Sequence, residues 1–163
     1  MKIYLIRHAA AVERGTPGMM DEDRPLIQKG RDRMVDIGKA FKAEGLPLAR
    51  LFASPLVRAV QTAELFAWAA GFRGEVEVTR ALVPSASPQD LEQFLRSIGD
   101  CKGIGLVGHE PNMHEFAGHF LARADFPEFK KGALCAIDLP RGPGEAGRLL
   151  GLLQPKSLEW ERP

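Results

Sequence analysis

Short apolar runs alternate with segments of helical periodicity along this chain, and that alternation constrains its fold more than any other feature. The run "KIYLIR" at residues 2–7 has no alternation of apolar and polar residues in its middle, which is typical of a strand buried on both faces. A helical period follows over 26–44, then the run "RLFASP" at 50–55 and a second helical period over 56–70. Strands and helices that alternate in this way predict a parallel sheet covered by helices.

The second half of the chain continues the pattern and then changes it. The further predicted elements are strands at 75–78 and 102–109, helices at 88–98 and 113–121, and an antiparallel pair of strands at 133–139 and 148–154. Ser87 is the predicted N-cap of the helix at 88–98. We predict one domain over residues 1–163, a three-layer α/β/α sandwich with a mostly parallel central sheet. Residues 9–24 are expected to form a long loop, and residues 156–163 a tail on which Trp160 can dock.

The composition excludes several classes of partner. Lys and Arg number 22 against 21 for Asp and Glu, so the net charge of +1 gives no overall field for nucleic acid or a membrane. No segment approaches the roughly 20 apolar residues of a membrane span, and the first apolar run is too short for a secretion signal. We therefore expect a cytoplasmic protein. Cys101 and Cys135 lack a CxxC spacing and are expected to be free thiols.

Polar side chains end or follow three of the predicted strands. Arg7 and His8 end the first strand, Arg58 follows the second, and His109 ends the glycine-rich strand at 102–109. Because the carboxyl ends of parallel strands meet at one edge of a sheet, these side chains are expected to converge there. The sequence thus predicts a site for an anionic ligand at this edge.

A phosphoryl group fits the residue types at that edge. The planar guanidinium groups of Arg7, Arg24 and Arg58 match phosphate oxygens, and helix N-termini near Pro55 and Pro111 add backbone donors. A neutral His8 imidazole can attack phosphorus while the neighbouring cations stabilise the charge of the transition state. His109 would be a further donor to that charge.

Three sequence blocks resemble the signatures of a known family. "LIRHA" from Leu5, "SPLVRAVQTA" from Ser54 and "LVGHEPNM" from Leu106 are similar, in order and spacing, to the histidine phosphatase superfamily. The short chain and the segment "DRPLIQKG" from Asp23 resemble its small SixA-type branch of phosphohistidine phosphatases. The resemblance implies a phosphoglycerate mutase-like fold and hydrolysis through a phosphohistidine intermediate, without a metal or other cofactor.

The resemblance also implies a role for individual residues. His8 matches the histidine that accepts the phosphoryl group, and the residues that match the phosphate pocket are Arg7, Arg24, Arg58 and His109. The segment "RALVPSASP" at 80–88 lacks the Glu that serves as general acid in the larger branch. Asp21 or Asp23 could replace it, although an acidic run in a loop is more simply a solvated surface. Ile27 stands where the small branch commonly has Thr, so the usual cap of the first helix is lost.

The expected function is therefore removal of a phosphoryl group from a protein histidine. The alternatives are a small-molecule phosphomonoesterase of the same superfamily and a phosphate-binding module without turnover. A zinc site of the HExxH type is not expected, because His109 and His114 are five residues apart and Pro111 lies between them. The expected partner is a phosphorylated protein or a small phosphorylated substrate, with neither nucleic acid nor membrane.

Overall fold

A seven-stranded sheet forms the middle layer of the computed structural model, which describes residues Met1–Pro163. The strands are β1 (Lys2–Arg7), β2 (Arg50–Ala53), β3 (Val76–Val78), β4 (Gly103–Gly108), β5 (Leu134–Asp138), β6 (Arg148–Leu153) and β7 (Trp160–Glu161). Their order in the sheet is β3-β2-β4-β1-β5-β6-β7. The first four of these are mutually parallel, whereas β5 runs antiparallel to β1, and β6 and β7 continue antiparallel.

Helices cover both faces of the sheet. They are α1 (Gln28–Glu44), α2 (Val57–Ala70), α3 (Pro88–Ile98) and α4 (Asn112–Leu121), and single 3₁₀ turns occur at Asp21–Asp23 and Arg80–Leu82. The alternate side chains of β1 separate two cores: Tyr4 and Ile6 pack with α1 and α2, and Ile3 and Leu5 pack with α3 and α4. The predicted three-layer sandwich with a mostly parallel core is confirmed.

The ends of two helices show how local sequence sets them. Ser87 caps α3 as predicted: its hydroxyl accepts the N–H of Asp90, and the Asp90 carboxylate accepts the N–H of Ser87. The start of α1 was predicted two residues too early, because Leu26 instead forms an isolated antiparallel bridge with Ala11. Ile27 gives α1 no side-chain cap, as the sequence indicated.

The predicted tail contributes to the sheet. Trp160 and Glu161 form β7 by pairing with Leu153 and Leu152, so the chain returns to cover the edge of β6. A two-residue strand carries no periodicity, and the sequence pattern could not reveal it. Both cysteines are free, as expected. None of the helices combines the length and apolar character that crossing a membrane requires.

Candidate active site

The carboxyl ends of β1, β2 and β4 lie side by side, and a cavity of about 430 Å³ opens at that edge. Its lining is dominated by charged and polar side chains: Arg7, His8, Glu13, Arg14, Arg24, Arg58, His109, Glu110 and Lys131, with Ala11 and Pro84. All five residues expected from the sequence to carry the chemistry, His8 and the four of its phosphate pocket, are brought together here. Four of them come from strand ends or from the helix after β2, and Arg24 comes from the loop after β1.

His8 is held in one orientation at the end of β1. Its Nδ1 lies 2.8 Å from the Ala9 carbonyl oxygen, which can only accept, so Nδ1 carries the proton and Nε2 keeps its lone pair. Nε2 forms no hydrogen bond with the protein. The side chain is buried, with 8% exposed. This burial, reinforced by the charges of Arg58, Arg7 and Arg24, lowers the pKa of His8 to about 4 despite its bond to Ala9. His8 is therefore a neutral imidazole at pH 7.

Three guanidinium groups surround His8, and each is fixed by protein acceptors. Arg7 Nη1 donates to the Phe129 carbonyl at 2.6 Å, and Arg24 Nη1 donates to the Val12 carbonyl at 2.7 Å. Arg58, with 2% of its surface exposed, donates from Nη1 to the Asp21 carbonyl at 2.8 Å. These bonds occupy only part of each group, and the remaining N–H groups are free to bind an anion.

Unsatisfied buried donors concentrate at this cavity. Five buried side-chain polar atoms lack a hydrogen-bond partner, and three of them belong to the cavity lining: Arg7 Nε, Arg58 Nε and His109 Nδ1. A buried donor without a partner costs about 1–3 kcal/mol. Their concentration beside one cavity is what a binding site for an anion with several acceptor oxygens requires.

His109 lies beside His8, with ring centroids 5.3 Å apart. Its Nε2 is 2.8 Å from the Ser54 hydroxyl, and that hydroxyl also accepts the Leu56 N–H at 3.4 Å. Burial, followed by the charges of His8 and Arg58, lowers the pKa of His109 to about 3. In the tautomer where Ser54 donates to Nε2, the Nδ1–H is the free donor.

Asp21 and Asp23, the expected alternatives for a general acid, do not line the cavity. The Asp21 carboxylate accepts hydrogen bonds from Arg24 Nε at 2.9 Å and from Arg58 Nη2 at 3.3 Å, so it orients two of the arginines that line the cavity. Partial burial raises its pKa, but the bond from Arg24 and the charge of Arg58 outweigh this and hold it below its usual range. An ionised group has no proton to give. Asp23 is exposed, forms no side-chain hydrogen bond or ion pair, and like Asp21 lies outside the lining of the cavity.

Two carboxyl groups that were not predicted from the sequence, Glu13 and Glu110, line the cavity. Glu110 accepts the Phe129 N–H at 3.3 Å, and its other oxygen lies 2.6 Å from His114 Nδ1. Burial raises the pKa of the Glu110 carboxyl. In the sequence, the only indication of its role was its position next to His109 at a strand end.

The remaining histidine, His119, forms a hydrogen bond with Glu92 and lies outside the cavity.

Metal ligation requires a different arrangement of side chains from the one found here. No group of three or more His, Cys, Asp or Glu side chains is placed to hold a metal ion. His109 precedes α4 and His114 lies within it, so the two do not form an HExxH pair on one helix.

Two sequence comparisons identify relatives of this chain. The family model of the histidine phosphatase superfamily (branch 1) matches residues 3–83. An uncharacterized protein of Picosynechococcus sp. is 35% identical over 120 residues, which cover 72% of this chain and 71% of that protein.

Comparison with solved structures identifies the fold. The protein histidine phosphatase SixA complexed with tungstate is similar with a TM-score of 0.86 and 21% identity, over 98% of this chain and 100% of that one. A phosphoserine phosphatase mutant from Entamoeba histolytica gives 0.71 and 14%, over 97% and 99%. A mycobacterial glucosyl-3-phosphoglycerate phosphatase gives 0.68 and 14%, over 91% and 96%.

Proposed function

Because the chain belongs to the histidine phosphatase superfamily, we propose that it removes a phosphoryl group from a protein phosphohistidine through a covalent intermediate on His8. The observation that carries this proposal is the fixed tautomer of His8. The Ala9 carbonyl holds the proton on Nδ1, and the unpartnered Nε2 lies among Arg7, Arg24 and Arg58. A neutral nucleophile within a cluster of cations is what attack on a phosphoryl group requires.

In the first step, His8 Nε2 forms a bond to phosphorus as the substrate's P–N bond breaks. The substrate imidazole takes the electron pair of that bond and, with a proton already on its other ring nitrogen, leaves as neutral imidazole. The phosphorylated His8 ring keeps its Nδ1 proton on the Ala9 carbonyl and is therefore cationic. The arginines and His109 stabilise the charge on the transferring oxygens.

In the second step, water attacks phosphorus and the P–Nε2 bond breaks. The electron pair returns to Nε2, which restores neutral His8 in its starting tautomer, and the two protons of the water leave with the phosphate or pass to solvent. The hydrogen bond to Ala9 assists both steps. In the first it leaves the Nε2 lone pair free to attack, and in the second it keeps the ring cationic, so that His8 leaves as neutral imidazole and not as an anion. We propose that no metal is needed, because the side-chain cations supply the charge stabilisation.

The open cavity supports a protein substrate. Arg14 and Lys131 at its rim are exposed, and no segment of the chain covers them. A phosphorylated side chain that projects from another protein could reach His8 without a lid moving aside. The similarity in fold to SixA, over the full length of both chains, is consistent with this substrate class.

The proposal is tested by comparing a phosphohistidine protein, a phosphoserine peptide and an aryl phosphate as substrates. We expect kcat/KM on phosphohistidine to exceed that on phosphoserine at least about 100-fold, which is about 2.7 kcal/mol of transition-state discrimination. Label trapped on the enzyme should be acid-labile and base-stable, and His8→Asn should trap none. An acid-stable label, or tight phosphate binding without turnover, would overturn the proposal.

A second candidate, hydrolysis of small phosphate monoesters, is favoured by one observation. Glu110 lines the cavity, and burial raises the pKa of its carboxyl, so it could protonate a departing alkoxide. The structures similar in fold include a phosphoserine phosphatase. Glu110→Gln discriminates between the candidates: a monoesterase should lose most of its activity on phosphoserine, whereas a phosphohistidine phosphatase should keep its main activity within a few fold.

A further inference from the structure

A second groove, of about 370 Å³, adjoins the catalytic cavity. Five basic side chains line it: Lys29, Arg33, Lys130, Lys131 and Lys156. The rest of its lining is Ala10, Ile27 and Pro155, with no carboxylate. Lys131 lines both the groove and the cavity, so one positive surface runs from the groove to the nucleophile.

The charge of this groove is not neutralised by the protein. None of its five basic groups forms an ion pair with a carboxylate, whereas cations elsewhere do so, such as Arg50 with Glu77 and Arg96 with Glu92. The whole chain has a net charge of only +1, so the groove is a local excess. Like charges gathered without counter-charges repel one another and attract an anionic partner.

Backbone hydrogen bonds fix the groove relative to His8. The Gly132 N–H, next to Lys131, donates to the carbonyl oxygens of Arg7 at 3.2 Å and of His8 at 3.3 Å. Two further lining residues are also joined, because the Ile27 N–H donates to the Ala10 carbonyl at 3.0 Å. A partner bound in the groove is therefore held at a set distance from the catalytic histidine.

We propose that this groove binds acidic residues flanking the phosphohistidine of a protein substrate. The inference rests on the proposed function and assigns it a specificity surface. Four of the basic groups are exposed lysines, whose mobile point charges suit an extended acidic surface better than one enclosed small anion. No aromatic side chain lines the groove to stack against a base, which favours an acidic protein over single-stranded nucleic acid.

The test uses two synthetic phosphohistidine peptides of equal length, one flanked by four glutamates and one by four serines. Wild-type protein should show a kcat/KM at least about tenfold higher on the glutamate peptide at low salt, and the preference should shrink as salt is added. The double variant Lys130→Glu/Lys156→Glu should lose the preference. Neither substituted lysine lines the catalytic cavity, so activity on an aryl phosphate should stay within twofold.

A matched double variant, Lys39→Glu/Lys102→Glu, changes the net charge equally at exposed positions away from the groove and should keep the preference. Equal loss in both double variants would show an effect of net charge alone and overturn the inference. So would stronger inhibition by a short RNA than by an unphosphorylated glutamate peptide. If wild type hydrolyses both peptides equally, the inference fails while the proposed function stands. If it hydrolyses neither, both fail.

Discussion

Burial of His8 among three arginines should make the protein less stable in mild acid, and His8→Asn should remove part of that effect. Asn keeps an amide N–H near the position of Nδ1, where it can still donate to the Ala9 carbonyl. The folded protein lowers the pKa of His8 from 6.5 to about 4. As the pH falls below 6.5 the unfolded chain takes up a proton that the folded chain does not, so the free energy of unfolding decreases until about pH 4.

The magnitude follows from these two pKa values. At pH 5, proton uptake by the unfolded state stabilises it through His8 by about 2 kcal/mol relative to pH 8. His109, with its pKa lowered to about 3, adds a similar amount. Between pH 8 and pH 5 the two histidines should therefore lower the free energy of unfolding of wild type by about 4 kcal/mol. In His8→Asn the corresponding decrease should be about 2 kcal/mol.

Urea unfolding followed by circular dichroism at pH 8, 7, 6 and 5 measures both proteins under matched conditions. The difference between their pH dependences reports on His8, because the other titrating groups are shared and any packing effect of the substitution is already present at pH 8. His8 also contributes to the lowered pKa of His109, but burial is the larger cause and acts in both proteins. If the losses of unfolding free energy between pH 8 and pH 5 in the two proteins agree within about 0.5 kcal/mol, His8 has the same pKa in the folded and unfolded chain. That result would refute its assignment as a buried neutral nucleophile.

Three further changes test other parts of the structure. Arg58→Lys should lower kcat about 100-fold or more, nearly as much as Arg58→Ala, because a lysine ammonium keeps the charge but not the planar fork that bonds Asp21 through both Nη atoms. Steady-state kinetics within a few fold of wild type would contradict this. Excess chelator should leave the phosphatase activity unchanged; loss that Zn²⁺ restores would show that a metal takes part. Gly30→Ala should lower the free energy of unfolding by about 1–3 kcal/mol, since the added Cβ meets the Ala10 backbone, and an unchanged urea midpoint would show that this contact yields easily.

Sequence patterns located the parts of the site that lie within continuous segments. Arg7 and His8 end a buried strand and Arg58 opens a helix, so periodicity and strand order were enough to bring them together. His109 was found in the same way from β4. Arg24 was proposed from the chemistry of its guanidinium group, but no periodicity could place it, because its position follows from the return of the loop through the bridge between Ala11 and Leu26.

Features assembled from distant segments were not predictable. Glu110 follows the predicted strand at 102–109, but its bond to the Phe129 N–H joins residues 19 positions apart in the chain. The basic groove combines two charges of α1, two at residues 130–131 and one at Lys156, and none of these segments stands out on its own. The start of α1 was misjudged because a single long-range bridge at Leu26 overrides helical propensity.

The antiparallel direction of β5 brings the segment between α4 and β5 to the catalytic edge of the sheet. Since β5 opposes β1, the chain enters β5 at the edge where β1 delivers its nucleophile, and the segment after α4 reaches the mouth of the cavity. Phe129 is tied to Arg7, but residues 123–128 before it belong to no strand or helix. Extra residues inserted there would leave the register of the parallel strands intact. The length of the chain can therefore change at this position without moving the strand ends that hold Arg7, His8 and His109.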